Sequence, residues 1–105
     1  MKVSELAEWV MANSASTVID ARSGMEFRHG HISGVIHAPV LKILLKRARL
    51  PEDRKAELVI TCEHGPRAMM AKRCLAAYGY RNATLLAGHM LGWRRAGLPL
   101  EDGAR

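Results

Sequence analysis

The chain has 105 residues, of which 49% are hydrophobic, and it carries a formal net charge of +6. This length predicts one domain with one core, and the apolar content excludes a disordered tail. The sequence contains no run of 18 apolar residues, so no membrane-spanning helix is predicted. Glu5 and Glu8 interrupt the apolar N-terminal stretch that a secretory signal would need. We therefore expect a cytoplasmic protein in which Cys62 and Cys74 are free thiols.

The net charge comes from 16 lysine and arginine residues against 10 aspartate and glutamate residues. The basic residues are scattered along the chain in short groups, and aromatic residues make up only 5% of it. A nucleic-acid interface combines a compact basic face with aromatic side chains that stack on bases, so this composition does not favour one. A basic surface that attracts small anions is the better interpretation.

The spacing of apolar residues predicts helices that alternate with strands. Ser4 has the side chain of a helix N-cap, and the predicted first helix ends near Met11. Ser23 and Glu26 have the S-x-x-E spacing of a capping box, which predicts a short helix that ends near Gly30. The other elements predicted for this half are strands at 17–21 and 34–39 and a helix at 40–50.

Residues 57–61 (ELVIT) form a nearly continuous apolar run, which is typical of a central parallel strand with both faces covered. A helix at 67–78, a strand at 82–88 and a helix at 89–97 are predicted to follow. This alternation predicts an α/β domain with a mostly parallel sheet of about four to five strands and helices on both faces. Ligands of such sheets bind at the carboxyl ends of the strands, and Cys62 follows one of those ends.

Cys62 begins a loop that leads into the helix at 67–78. A helix N-terminus carries unpaired N–H groups and partial positive charge, Gly65 allows a tight turn, and Arg67 adds a fixed positive charge. Together these features favour the thiolate form of Cys62, which is the reactive form. Cys74 lies among apolar residues, so we expect it to pack in the core. The predicted site comprises Cys62, Glu63, His64, Gly65, Pro66 and Arg67.

Three ordered motifs lie at residues 18–40 (VIDARSGMEFRHGHISGVIHAPV), 62–68 (CEHGPRA) and 79–100 (GYRNATLLAGHMLGWRRAGLPL). They resemble, in turn, the first signature, the active-site loop and the closing segment of rhodanese-like (rhodanese-homology) domains. The resemblance implies a single rhodanese-like domain over residues 1–105, with its core at about 4–100. Three residues depart from the family pattern: Ala68 stands where many single-domain members have serine, Ala87 replaces the first glycine of a common Gly-Gly pair, and Glu63 is acidic beside the cysteine.

The resemblance implies a single-domain sulfurtransferase. Cys62 would take a sulfane sulfur from thiosulfate or a persulfide donor, hold it as a persulfide and pass it to a thiophilic acceptor such as cyanide or a thiol. No metal or organic cofactor is implied, and the expected partners are small anionic donors and small-molecule or protein thiols, with no nucleic acid and no membrane. Glu63 is expected to weaken the binding of a dianion such as thiosulfate.

Two other functions remain open from the sequence. A non-catalytic rhodanese-like module could bind a partner or sense oxidants, because an exposed reactive thiol is readily oxidised. A small phosphatase or arsenate reductase is the third possibility. The resemblance gives those enzymes a loop one residue longer than the segment from Cys62 to Arg67, so we favour sulfur over phosphate chemistry.

Several polar side chains near the loop have two interpretations. Asp20 and Arg22 follow a predicted strand, and they lie either at the edge of the pocket or paired with each other. Arg67 binds either the donor anion or the carbonyl groups of the loop, and His64 either contributes positive charge or faces solvent. The histidines have no acidic or cysteine neighbours at a metal-ligand spacing, so no metal site is predicted.

Overall fold

The computed structural model describes residues 1–13 and 17–103. Residues 14–16 and 104–105, which the predicted domain includes, lie outside the described part. The helices are α1 (Val3–Met11), α2 (Gly24–His29), α3 (Val40–Leu44), α4 (Pro66–Ala77) and α5 (His89–Arg95), and the strands are β1 (Val18–Asp20), β2 (Ile36–His37), β3 (Leu58–Thr61) and β4 (Ala83–Leu85). None of the described helices combines the length and apolar character that crossing a membrane requires.

The strands form one parallel sheet in the order β2-β1-β3-β4. Asp20 pairs in register with Thr61, so the carboxyl ends of β1 and β3 lie side by side. Every residue of β3 is buried, as expected for a central strand with helices on both faces. The predicted α/β fold with a mostly parallel sheet is confirmed, and the described residues give it four strands.

Two hydrophobic cores lie on opposite faces of the sheet, because successive residues of a strand point to opposite sides. Ile19 and Ile60 belong to the core that also contains Leu75 of α4. Val18 and Val59, their neighbours in sequence, belong to the other core. The helices supply to that second core Leu6 from α1, Phe27 from α2, and Met90 and Trp93 from α5.

The ends of α4 and α5 lie within two residues of those predicted, whereas the start of α1 and the end of α3 have causes that the sequence did not predict. The N-cap of α1 is Lys2 rather than Ser4, and the Lys2 N–H donates to the Glu5 carboxylate at 3.3 Å. An acidic side chain in the first turn therefore serves the start of this helix. α3 ends at Leu44 although the apolar spacing continues to residue 50. It stops because Lys46, with a φ of 59°, adopts the left-handed conformation that commonly terminates helices.

Candidate active site

Cys62 lies at the carboxyl edge of the sheet, immediately after β3. Its side chain is 0% exposed. The loop then runs to Gly65, the N-cap of α4, and Pro66 occupies a first-turn position where its missing N–H leaves no helical bond unmade. The fold thus brings the thiol to the junction of a strand end and a helix start, where the sequence predicted it.

The sulfur of Cys62 faces a backbone donor, since the Gly65 N–H donates to Sγ at 3.0 Å. The N–H groups of Arg67 and Ala68, in the first turn of α4, have no acceptor within residues 1–13 and 17–103. Such groups at the start of a helix present donors and partial positive charge to an anion. The loop can therefore stabilise negative charge on a sulfur atom at this position.

Gly65 is required by the shape of the loop. Its φ of 136° lies in the region that residues with a side chain disfavour. A Cβ on this residue would also lie 3.2 Å from Nε2 of His89, which is tighter than ordinary van der Waals contact. The turn that brings the Gly65 N–H onto the sulfur therefore depends on the absence of a side chain.

Arg67 reaches across the loop to Glu26 of α2, a partner that neither sequence-based interpretation included. Its Nη2 donates to Oε2 at 2.8 Å, and its Nη1 donates to Oε1. Hydrogen bonding to Arg67 lowers the pKa of Glu26 from 4.5 to about 2, and the same contact raises the pKa of Arg67. Glu26 also accepts from Ser23 in the predicted capping box. One carboxylate thus serves both the start of α2 and the arginine of the loop.

A chain of ion pairs runs beside the loop from the end of β1 to α5. The buried carboxylate of Asp20 accepts hydrogen bonds from Nε and Nη2 of Arg22, the latter at 2.9 Å. Nη1 of Arg22 lies 3.5 Å from the carboxylate of Glu63, which also pairs with Arg94. Asp20 and Arg22 therefore pair with each other, and arginines balance the negative charge of Glu63.

A groove of about 350 Å³ opens beside the loop. Arg22, Glu63 and Arg94 contribute to its charged walls, and Met25 and Leu100 contribute an apolar side. Arg22 thus also lies at the edge of a pocket, whereas the buried Asp20 is not part of that wall. A larger cavity of about 490 Å³, lined in part by Tyr78 and Tyr80, includes no residue of the loop.

His89, the first residue of α5, is a part of this region that no sequence motif predicted. Its side chain is 7% exposed, and its Nδ1 accepts the Cys62 N–H at 3.3 Å. Burial lowers the pKa of His89, and the charge of nearby His64 lowers it further. A histidine directly after Gly88 at a predicted helix start is a weak signal, because its partner lies 27 residues away in the sequence.

The remaining candidate residues are His64 and Cys74. His64 is exposed, and Cys74 is a half-buried residue of α4 that packs against the core, as the sequence predicted. Both cysteines are free. Across the described ranges, no group of three histidine, cysteine, aspartate or glutamate side chains is arranged to hold a metal ion.

Known proteins resemble this chain in sequence. Residues 2–96 match the rhodanese-like domain. A sulfurtransferase of Allochromatium vinosum is 31% identical over 83 residues, which cover 79% of this chain and 76% of that protein. The HTH-type transcriptional regulator Rv0324 of Mycobacterium tuberculosis is 36% identical over 90 residues, which cover 84% of this chain. The chain spans only 38% of that regulator's length.

A solved structure resembles this chain in fold. The human single-domain sulfurtransferase TSTD1 has a TM-score of 0.74 and 25% identity, and the match covers 90% of this chain and 94% of the human one. The family match includes the whole sheet, the loop that begins at Cys62 and the start of α5. The chain therefore belongs to the rhodanese-like domain family.

Proposed function

We propose that this protein is a sulfurtransferase that carries a sulfane sulfur on Cys62. The observation that carries the proposal is the Gly65 N–H at 3.0 Å from Sγ, followed along the chain by the N–H groups of Arg67 and Ala68, which have no acceptor among the described residues. A persulfide bears its negative charge on the outer sulfur, and preorganised N–H donors stabilise such a charge. The name of the related protein from Allochromatium vinosum supports the same chemistry.

The reaction consists of two nucleophilic substitutions at sulfur. In the first, the Cys62 thiolate attacks the sulfane sulfur, a new S–S bond forms, and the bond between that sulfur and the donor breaks. The leaving group, sulfite from thiosulfate or a thiolate from an organic persulfide, takes the electron pair. In the second, cyanide or a thiolate attacks the outer sulfur, and the Cys62 thiolate departs. The scheme needs no external oxidant, reductant, metal or organic cofactor.

The charges beside the loop favour an organic persulfide over thiosulfate as the donor. Three arginines near the groove are each paired with carboxylates: Arg22 with Asp20 and Glu63, Arg94 with Glu63, and Arg67 with Glu26. A paired arginine produces a weaker net field than a free one, so a dianion gains less from approaching it. This extends the sequence-based expectation that Glu63 weakens thiosulfate binding.

The ion pair of Arg67 disfavours the phosphatase and arsenate reductase alternatives. Arginine recognises phosphate-like oxyanions through two parallel N–H contacts. Both Nη groups of Arg67 already donate to Glu26, so an oxyanion would have to displace a carboxylate whose pKa is lowered to about 2 by this contact. The length of the loop, six residues from Cys62 to Arg67, points in the same direction.

Intact mass after incubation with glutathione persulfide, and separately with thiosulfate, tests the proposal. We expect the wild type and the Cys74→Ser variant to gain one sulfur atom, which cyanide then removes. The Cys62→Ser variant should gain none, because it lacks the nucleophile. Sulfur uptake by a folded Cys62→Ser protein, or no uptake by the wild type from either donor, would rule out Cys62 as the carrier.

A second candidate function is oxidant sensing or partner binding without turnover. The observation that favours it is the regulator from Mycobacterium tuberculosis, in which the matching domain makes up 38% of a longer protein. A thiolate stabilised by N–H donors is also readily oxidised to sulfenic acid. Dimedone labelling of Cys62 after peroxide treatment, in a protein that passes no sulfur to cyanide, would favour this function over sulfur transfer.

We also propose a cytoplasmic location. Its basis is that Cys62 and Cys74 are both free, as thiols are in a reducing compartment. Fractionation of cells that express the tagged protein would test it, and recovery in a secreted fraction would contradict it.

A further inference from the structure

His89 accepts a hydrogen bond from the active-site loop and lies close to Gly65, and the sulfur-transfer scheme leaves it without a role. Its Nδ1 accepts the Cys62 N–H at 3.3 Å, and its Nε2 lies 3.2 Å from where a Cβ on Gly65 would be. We propose that His89 is a positioning residue whose ring keeps the Gly65 N–H on the sulfur of Cys62. The kinetic consequence of this inference rests on the proposed sulfur transfer, while the placement of the loop does not.

The positive φ of His89 is unusual for a buried residue, and it indicates that the side chain has a specific role. Among the described residues, the non-glycine positions with positive φ are Asn13, Lys46 and His89. Asn13 and Lys46 are exposed and follow the last turns of α1 and α3, which is an ordinary place for this conformation. His89 instead is buried and begins a helix, with a φ of 52°. Strained residues of this kind cluster at functional sites.

The hydrogen bond to Cys62 defines the state of the ring. Because Nδ1 accepts, the ring is neutral and its proton is on Nε2. Burial and the charge of His64 hold the pKa of His89 below its usual range, which is consistent with a neutral ring. Without this acceptor, the N–H of the fully buried Cys62 would lose its partner, a costly arrangement for a buried donor.

Main-chain hydrogen bonds align the start of α5 with the loop. The Met90 N–H donates to the Cys62 carbonyl at 3.0 Å, and the Leu91 N–H donates to the Glu63 carbonyl at 3.3 Å. These bonds use the first-turn donors of α5, which lack partners within the helix. A substitution at residue 89 leaves both bonds available, so it isolates what the imidazole itself contributes.

Loss of the ring should affect the chemical step more than donor binding. The Gly65 N–H must stay close to the sulfur while negative charge moves onto the leaving group and the new persulfide. Without the ring, the Cys62 N–H loses its acceptor and the space beside Gly65 opens, so the Gly65 N–H moves out of line with the sulfur. The groove, where the rest of a sulfur donor would lie, does not include His89.

Two variants separate the hydrogen bond of the ring from its volume. His89→Asn retains an acceptor oxygen and tolerates a left-handed backbone, whereas His89→Leu fills similar space without an acceptor. In single-turnover persulfide formation at saturating donor, we expect His89→Leu to be about tenfold slower, with less than about a twofold change in the half-saturating donor concentration. His89→Asn should stay within about twofold of the wild type in both.

Alkylation by iodoacetamide gives a readout that does not require sulfur transfer. The mass of the peptide that contains Cys62 reports the rate at that thiol, without interference from Cys74. We expect about threefold slower alkylation in His89→Leu and an unchanged rate in His89→Asn, because a displaced Gly65 N–H stabilises less thiolate. If His89→Leu does not fold, His89→Gly replaces it, since glycine relieves the backbone and also lacks the acceptor.

The outcomes distinguish failure of this inference from failure of the proposed function. Equal rates in all variants would show that the ring is dispensable, and a wild-type rate in His89→Leu with slowing in His89→Asn would show that the ring only fills space. Parallel slowing of both with matching losses of Tm would show a general loss of stability. Each of these results would overturn the inference. If the wild type accepts no sulfur from any donor, the proposed function fails. The alkylation rates would then still decide the role of His89, with rescue by asparagine supporting it and no rescue overturning it.

Discussion

At the scale of single residues, Glu63 sets the charge that an incoming donor meets. Its carboxylate lies between Arg22 and Arg94 and is partly exposed. Glu63→Gln removes one negative charge, frees Arg94 and leaves Arg22 paired only with Asp20. The value of kcat/KM for thiosulfate should therefore rise about fivefold, as expected for a dianion about 8 Å from the lost charge in water. The rate with glutathione persulfide should change less. Steady-state kinetics with the two donors measure this difference.

Glu57→Gln is the matched control for that experiment. Glu57 is exposed and precedes β3, so it lies at the opposite end of the strand from the loop. The same change of net charge at this position should leave the ratio of the two donor rates unaltered. An equal gain for thiosulfate in both variants would assign the effect to overall charge rather than to Glu63.

Two glycines with positive φ differ in their surroundings, which allows the role of Gly65 to be isolated. A Cβ on Gly65 would meet His89, whereas a Cβ on Gly97, whose φ is 72°, would meet no atom within 4 Å. Alanine at either position should cost about 1 kcal/mol of unfolding free energy through backbone strain. Only Gly65→Ala should also slow persulfide formation, by at least about tenfold, because the loop must shift.

Denaturant unfolding and single-turnover kinetics test that comparison. The result that would contradict it is a Gly65→Ala protein with wild-type rates, since the loop would then accommodate a side chain without moving its N–H group. Slowing by Gly97→Ala as well would point to a general loss of stability.

At the scale of elements, the pair formed by Glu26 and Arg67 connects α2 to α4. Since this contact lowers the pKa of Glu26 from 4.5 to about 2, its stabilisation is complete above pH 4.5 and is lost as the pH falls towards about 2. Both side chains are partly exposed, at 33% and 40%, so solvent screens the pair and we expect a contribution of only about 1 kcal/mol.

Glu26→Gln isolates the ion pair, because glutamine can still form the capping box with Ser23. Unfolding free energies measured at about pH 7 and about pH 3 should differ by about 0.6 kcal/mol less in this variant than in the wild type, because the pair is only partly lost at about pH 3. Glu52→Gln, a change at an exposed residue, should leave the pH dependence as it is. If Glu26→Gln also leaves it unaltered, the pair does not stabilise the fold.

The same elements explain how far the sequence could predict the structure. The capping box of Ser23 and Glu26 depends on a spacing of three residues, and the burial of β3 depends on its own composition, so both were predicted. The second role of Glu26 joins residues 41 apart, and the contact of His89 with Cys62 joins residues 27 apart. Such contacts arise only when packed elements bring distant side chains together, and no local pattern encodes them.

At the scale of the whole molecule, the net charge of +6 and the paired charges around the groove act over different distances. The ion pairs cancel much of the field close to the loop. The excess of basic residues elsewhere produces a longer-ranged positive potential that attracts anions before they reach the groove. An anionic donor should therefore arrive quickly and yet bind weakly.

Ionic strength separates these two effects. Raising the salt concentration from about 0.01 M to about 0.5 M shortens the screening length from about 30 Å to a few ångströms, which removes the long-range potential. We expect kcat/KM for the thiosulfate dianion to fall about tenfold over this range, because screening removes the long-range attraction of an anion to the basic protein. The gain from Glu63→Gln acts at short range and should persist in part at high salt. Rates that do not depend on salt would mean that the basic residues direct no field towards the groove, and the net charge would then have no part in donor capture.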